Sequence, residues 1–210
     1  MIDFYSWSTP NGRKVSIMLE ECKLDYNLIP INITKDEQFE KNFLNISPNN
    51  KIPAIYDHDT NISMMESGAI LLYLSEKTGV FLPKEDKDRW KRDEWLMFQM
   101  ASLGPMLGQV HHFIKFNSGK SAYAEERYYN EAKRIYGVLD KRLEESEFVA
   151  GNDYGVADIS IWPWVSRYEW QNIDLNNYIN ILRWYKEIAS REAVIKGYDI
   201  PKMGVEIPIP

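Results

Sequence analysis

Ser47 to Leu74 reads SPNNKIPAIYDHDTNISMMESGAILLYL, and the fold turns on how it is parsed. Polar turn residues lead into the apolar Ile52-Pro53-Ala54-Ile55-Tyr56, and the chain turns again at His58-Asp59-Thr60-Asn61. A short apolar strand follows, and Glu66-Ser67 then stand directly before a helical run from Gly68 to Leu74. Proline donates no ladder bond, so Pro53 belongs at a strand's first residue or in a tight junction, and Ile52-Pro53 is a candidate cis peptide. Ser67 reads as an N-cap, with first-turn amides beyond it suited to a carboxylate or phosphate. Glu66 beside them supplies the opposite charge, so the pair suits a zwitterionic amino-acid end. The same residues also read as a plain capped helix after a hairpin.

Upstream, Ile2 to Tyr5 is a short β-type run ending in the loop Ser6-Trp7-Ser8-Thr9-Pro10-Asn11-Gly12. Thr9 reads as an N-cap and Pro10 as the first helical residue. The helix that follows carries Val15, Met18, Leu19 and Cys22 on one face, which makes Cys22 a small core residue. Tyr26 to Asn32 is a second strand, which Pro30 assigns to a sheet edge. Gln38 to Asn45 is a short helix with Phe39, Phe43 and Leu44, and Gly79 terminates the helix begun at Gly68. The order β-α-β-α-β-β-α predicts an α/β, thioredoxin-like domain with a mixed four-stranded sheet over 1–79.

Val80 to Glu85 is the linker, and from Asp86 the strand pattern disappears. One long helix is expected from Trp90 to about Phe116, bent near Gly104-Pro105. Others are expected over 122–146, 158–168 with a kink at Pro163, 182–190 and 193–198. The region 86–210 therefore reads as an all-α domain, with the apolar 158–168 helix central. Asp158 supports the N-terminus of that helix, but Gly155 stands where a hydroxyl would complete a capping box. The cap is expected to be weaker by a few tenths of a kcal/mol.

The 210 residues are 44% apolar and 27% charged, as in an ordinary globular protein. A net charge of −6, with basic residues scattered, argues against a nucleic-acid surface. No leader and no apolar run of about 18 residues or more is present, so a cytoplasmic protein without a membrane partner is expected. The single cysteine excludes an intrachain disulfide and a Cys-X-X-Cys pair. His111-His112 face apart on a helix, and no metal site is expected. Tyr5 ends a strand and reads as core. Trp7, Phe113 and Trp164 could line a second-substrate pocket, although core packing accounts for them better.

The ordered set Ile52-Pro53, Glu66-Ser67 resembles the glutathione-binding half of the glutathione transferase family. The chain is also similar, through about Tyr198, to that family's Nu class of bacterial disulfide-bond oxidoreductases. The motifs are Thr9-Pro-Asn-Gly12, SPNNKIPAI, ESGAILLYL, Leu103-Gly-Pro-Met-Leu-Gly-Gln109, Glu126-Arg127-Tyr128 and Ala157-Asp158 through Trp162-Pro-Trp164. The resemblance implies a glutathione transferase fold, glutathione as co-substrate, a homodimer, and a small disulfide or electrophile as second substrate. Thr9 and Asn11 would face the glutathione sulfur, and Gln38 its glycine end. Ile52 would pair with the cysteinyl unit through a cis Ile52-Pro53 junction, and Glu66 and Ser67 would hold the γ-glutamyl end. Arg127 would reach a carboxylate from the neighbouring subunit, with Asn50 and Lys51 as further contacts. The reaction implied is disulfide reduction by exchange with bound glutathione, no protein cysteine taking part. Conjugation, peroxide reduction and non-catalytic glutathione-binding regulation are the alternatives, since fold does not separate them.

Overall fold

The computed structural model describes residues 1–210. The chain forms two units: Met1–Leu82 with Ser190–Ile207, and Pro83–Ala189 with Pro208–Pro210.

The first unit carries β1 (Ile2–Ser6), α1 (Pro10–Glu21), β2 (Tyr26–Pro30), two 3₁₀ turns (Ile33–Lys35, Glu37–Phe39), α2 (Lys41–Leu44), β3 (Ala54–Asp57), β4 (Ile62–Met65) and α3 (Ser67–Thr78). Its sheet runs β2-β1-β3-β4, with β1 parallel to β2 and antiparallel to β3. The expected α/β domain is therefore present, and Pro30 does lie on an edge strand. The expected helix over 38–45 is split into the 3₁₀ turn at Glu37–Phe39 and α2. Phe4 and Ile55 are paired and wholly buried, while their neighbours Tyr5 and Ala54 pack with Ile31, Phe43 and Ile52. That alternation fills both faces of the sheet. Gly79 ends α3 at φ +73°, a conformation open to glycine.

In the second unit, α4 (Asp86–Phe98) begins four residues before the expected Trp90 and continues through a π-helical segment, Gln99–Leu103, into α5 (Gly104–Val110) and a second π-helical segment, His111–Phe116. The expected single bent helix is thus one run in which wide turns accommodate Pro105, whose ring cannot continue a regular ladder. After α6 (Ala122–Glu145), the central α7 (Val156–Val165) is buried along its whole length, Pro163 included. Its Trp162 and Trp184 of α8 (Ile179–Ala189) are wholly buried, each removing enough apolar area to contribute on the order of 2–3 kcal/mol. Asp158 accepts the Gly155 amide at 3.0 Å, the Val149 amide at 2.9 Å and the Trp184 indole N–H at 2.8 Å. One carboxylate therefore caps α7 and ties it to two other segments, while Gly155 has no side chain to return a second cap bond.

The expected division at 86–210 differs from the observed one at its C-terminal end. α9 (Glu192–Tyr198) belongs to the first unit and packs along α1. Gly197 permits the approach: a Cβ there would lie 2.7 Å from the Ile17 backbone. With α3 on one side and α9 on another, α1 is buried from Gly12 to Leu19 and not along one face alone.

Candidate functional site

Strand register gathers most of the predicted residues at one end of the sheet. Ser6 pairs with Pro30, Tyr5 with Ala54, and Ala54 with Met65. The chain leaves β1 at Ser6 for Thr9 and Asn11, and leaves β2 at Pro30 for Gln38. It enters β3 from Ile52-Pro53 and leaves β4 at Met65 for Glu66-Ser67. Six residues from four connections thus share one rim of the first unit.

The loop after β1 is fixed by its own backbone. The Thr9 amide donates to the Trp7 carbonyl at 2.7 Å, and Thr9 Oγ1 accepts the Gly12 amide at 3.1 Å, capping α1 as the sequence implied. A Cβ on Gly12 would collide with the Trp7 carbonyl and stand 2.6 Å from Ser6 Oγ, so only glycine closes this turn. Because the Thr9 oxygen accepts, its hydroxyl hydrogen is left to donate elsewhere. A hydroxyl donor at a helix N-terminus suits a thiolate or another anion.

Ile52-Pro53 is a cis peptide. Ser47 Oγ donates to the Lys51 carbonyl at 2.8 Å, and Asn50 sits at φ +50°, so the entry to β3 is held on both sides. On the far strand's connection, the Gln38 amide nitrogen lies 3.4 Å from Asp36 Oδ1. Its Oε1 is buried with no partner, so the amide nitrogen is the group that could donate to a carboxylate.

At the start of α3 the structure corrects one expectation. Ser67 is the first helical residue and Glu66 is the cap, at φ +69°, ψ 108°. Such a backbone is costly for a residue with a Cβ. It leaves Glu66 exposed while Ser67 is buried to 3% exposure. Lys14 of α1 donates from Nζ to Ser67 Oγ at 3.3 Å and is itself wholly buried. Burial draws its ammonium well below the usual lysine range, and the Glu66 carboxylate opposes that effect. The sequence reading passed over Lys14. The available signal was a lysine four residues before Met18, on the stripe that otherwise reads as core.

Other singled-out residues are not among these six. Arg127 is exposed on α6 of the helical unit, beside a cavity of about 410 Å³ lined by Met106, Tyr128, Asn130, Glu131 and Arg134. Trp164 is buried in that unit and stacks on His111, whose imidazole burial pushes down to about 4. Two glycines of the Leu103–Gln109 motif lie beside the same indole, and space requires glycine only at Gly104. A Cβ on Gly108 would be 3.5 Å from the indole ring, and one on Gly104 would be 2.5 Å from the Gln99 amide. Phe113 stacks on Tyr128. Tyr5 packs against Phe43, and burial raises its phenol. Cys22 sits just past the C-terminal end of α1, partly exposed where a core position was expected, with the Thr78 hydroxyl 3.5 Å from its sulfur. The twelve residues of α1 separate it from Thr9, about 20 Å at a rise of about 1.5 Å per residue.

Family models describing the glutathione S-transferase N-terminal and C-terminal domains match residues 9–77 and 103–192. The chain is 50% identical to the disulfide-bond oxidoreductase YfcG of Escherichia coli strain K12, covering 92% of each protein. It is similar to a glutathione transferase of Burkholderia graminis solved with two glutathione molecules per subunit (TM-score 0.90, 39% identity, covering 97% of this chain and 89% of that one). It is likewise similar to one from Pseudomonas putida solved with one glutathione disulfide per subunit (TM-score 0.90, 40% identity, covering 95% and 91%).

Proposed function

This chain belongs to the glutathione transferase family, and from that premise we propose that it reduces disulfides with glutathione, the only sulfur reductant being the bound thiol. Thr9 and Asn11 stabilise the glutathione thiolate, Gln38 meets the glycine carboxylate, and Ile52 pairs its backbone with the cysteinyl unit. Glu66 and Ser67 hold the γ-glutamyl ammonium and carboxylate. The thiolate attacks one sulfur of the substrate disulfide; the other sulfur leaves as a thiolate and takes a proton. A second glutathione thiolate then attacks the mixed disulfide, freeing the second substrate thiol and leaving glutathione disulfide. The two electrons come from the two glutathiones.

The observation that carries this reading is the position of the one cysteine. Cys22 stands at the opposite end of α1 from Thr9, and burial raises its thiol, so its reactive thiolate is scarce. Relatives solved with two glutathiones or with glutathione disulfide support a site that accommodates both sulfurs of the exchange. The protein acts as a cytoplasmic homodimer in which Arg127 reaches a glutathione carboxylate in the partner's site. Turnover of a small disulfide, a peroxide and an aryl halide, measured side by side with glutathione, tests the activity. Disulfide turnover is expected to exceed the other two, and a dominant aryl-halide reaction would make conjugation the function.

A further inference from the structure

We propose that Arg13 is a positioning residue for the loop that faces the glutathione sulfur, holding Ser8 from within α1 while α9 anchors it. This deepens the reading above and rests on its assignment of Thr9 and Asn11.

With Thr9 as the N-cap of α1, Ser8 stands just before the cap and Arg13 is the fourth helical residue. Those two positions often carry apolar side chains, whose contact fixes the angle at which a chain enters its helix. Here the pair is polar: Arg13 Nη2 donates to Ser8 Oγ at 3.0 Å. A planar guanidinium sends its donors in fixed directions, so this bond defines the entry angle more narrowly than an apolar contact would. Turning Ser8 away from that direction also turns the peptide joining it to Thr9, and with it the Thr9 hydroxyl. Hydrogen bonds weaken steeply as they bend, so the aim of that hydroxyl decides what it does for a thiolate.

The arginine is wholly buried and is held from outside the loop. Its Nε donates to the Tyr198 carbonyl at 2.8 Å, and its guanidinium lies 3.9 Å from the Tyr198 ring centroid. α9, which carries Tyr198, is seated on α1 by Ser16 Oγ, which donates to the Gly197 carbonyl at 2.6 Å. The Gly12 amide on Thr9 Oγ1 and the Thr9 amide on the Trp7 carbonyl hold Thr9 to its near neighbours. The Arg13 bond extends that hold to α9, the helix nearest the C-terminus. The Asp199 carboxylate faces the same cation and accepts the amides of Met203, Gly204 and Val205. With an anion beside it, Arg13 acts on the loop by geometry more than by its field. Ser8→Ala tells the two apart, because it keeps the charge and removes the bond.

The test uses Ser8→Ala, Arg13→Met, their combination and Thr9→Ala, with Ser16→Ala as control, each assayed across pH with glutathione and a small disulfide. Ser8→Ala is expected to move the midpoint of the pH-rate profile upward by about half a unit or more, because a misaimed donor raises the thiol pKa. The KM for glutathione is expected to stay within about twofold, since the residues that hold the tripeptide are untouched. Arg13→Met is expected to shift the midpoint at least as far, and the double variant no further than Arg13→Met, since both changes break one bond. Ser16→Ala loosens the α1–α9 contact without touching the loop, and its midpoint is expected to match wild type. A wild-type midpoint in Ser8→Ala beside a shifted one in Thr9→Ala would overturn the proposal and leave Arg13 a link between helices. A shift in Arg13→Met without one in Ser8→Ala would overturn it in favour of charge. An equal shift in Ser16→Ala would overturn it in favour of general loosening. Should Arg13→Met fail to fold, Ser8→Ala and its control decide the question. If neither Thr9→Ala nor Ser8→Ala moves the midpoint, the sulfur assignment fails and this inference with it.

Discussion

Arg13 and Tyr198, 185 residues apart, are joined twice: Arg13 Nε donates to the Tyr198 carbonyl at 2.8 Å, and the guanidinium lies 3.9 Å from the tyrosine ring centroid. Arg13 Nη2 also donates to Ser8 Oγ at 3.0 Å, in the loop that carries Thr9. One buried cation thus connects α9 to the mouth of α1. Arg13→Met keeps much of the stem volume but removes these bonds and leaves a buried carbonyl without its donor. It is expected to lower unfolding free energy by about 2–3 kcal/mol, read from urea denaturation.

Glu66 separates strain from binding. Both Glu66→Ala and Glu66→Gly remove the carboxylate, so each should weaken glutathione binding by about 1–3 kcal/mol in isothermal titration. Alanine keeps a Cβ at φ +69°, whereas glycine does not. Glu66→Gly is therefore expected to be the more stable of the two by about 1 kcal/mol. Equal stabilities would mean that the positive φ carries no strain.

Much of this rim was legible because its signals are local. Pro30 marks an edge, Thr9-Pro10 marks a cap, and Gly79 marks a helix end; each constrains its own backbone. The misplaced features depend on contacts distant in sequence. Ser67 has the chemistry of an N-cap, yet the turn out of β4 puts Glu66 in that position. Lys14 is an ordinary surface residue by composition and becomes buried only because α3 and α9 close over α1. The return of α9 to the first unit rests on Gly197, Ser16 and Arg13, none of which signals a partner in sequence. The π-helical segments around α5 are likewise not legible from helical periodicity, which predicts a simple bend there.

Asp158 gives a pH signature. Complete burial pushes its carboxyl up to about 6 despite three donors, so the folded state holds its proton more tightly than the unfolded state does. Between about pH 4 and 6 the folded protein then binds more protons, and the contribution of this group to stability falls as pH rises. Asp158→Asn removes that dependence while losing the acceptor for Gly155. The variant is expected to be less stable than wild type, with a deficit that shrinks from pH 4.5 to pH 6.5 in urea denaturation. A deficit that grows over that interval would mean the donors outweigh burial.

Assembly can be tested by complementation. If Arg127 serves the neighbouring subunit's site, each homodimer of Arg127→Ala or Glu66→Ala has two damaged sites. A mixed dimer contains one site with both residues intact, so its activity should exceed the average of its parents. Activity at that average would instead place both residues in a site built from one chain.

The last prediction concerns the source of the sulfur. Cys22 is the only thiol in the chain, and it lies at the C-terminal end of the helix whose N-terminus carries Thr9 and Asn11. If glutathione supplies the sulfur, Cys22→Ser should keep most disulfide reductase activity, since the side chain is already partly exposed and a hydroxyl there is tolerated. Asn11→Ala should lower turnover and move its pH dependence upward, because a donor lost from the thiolate raises the thiol pKa. Thr9→Ala should act in the same direction and also weaken the helix cap, which costs about 1 kcal/mol of stability. Thermal unfolding separates that loss from the catalytic one. The deciding measurement is the pH-rate profile of the three variants with glutathione and a small disulfide. A folded but inactive Cys22→Ser beside a wild-type Asn11→Ala would place the reactive sulfur on the protein and end the proposed mechanism.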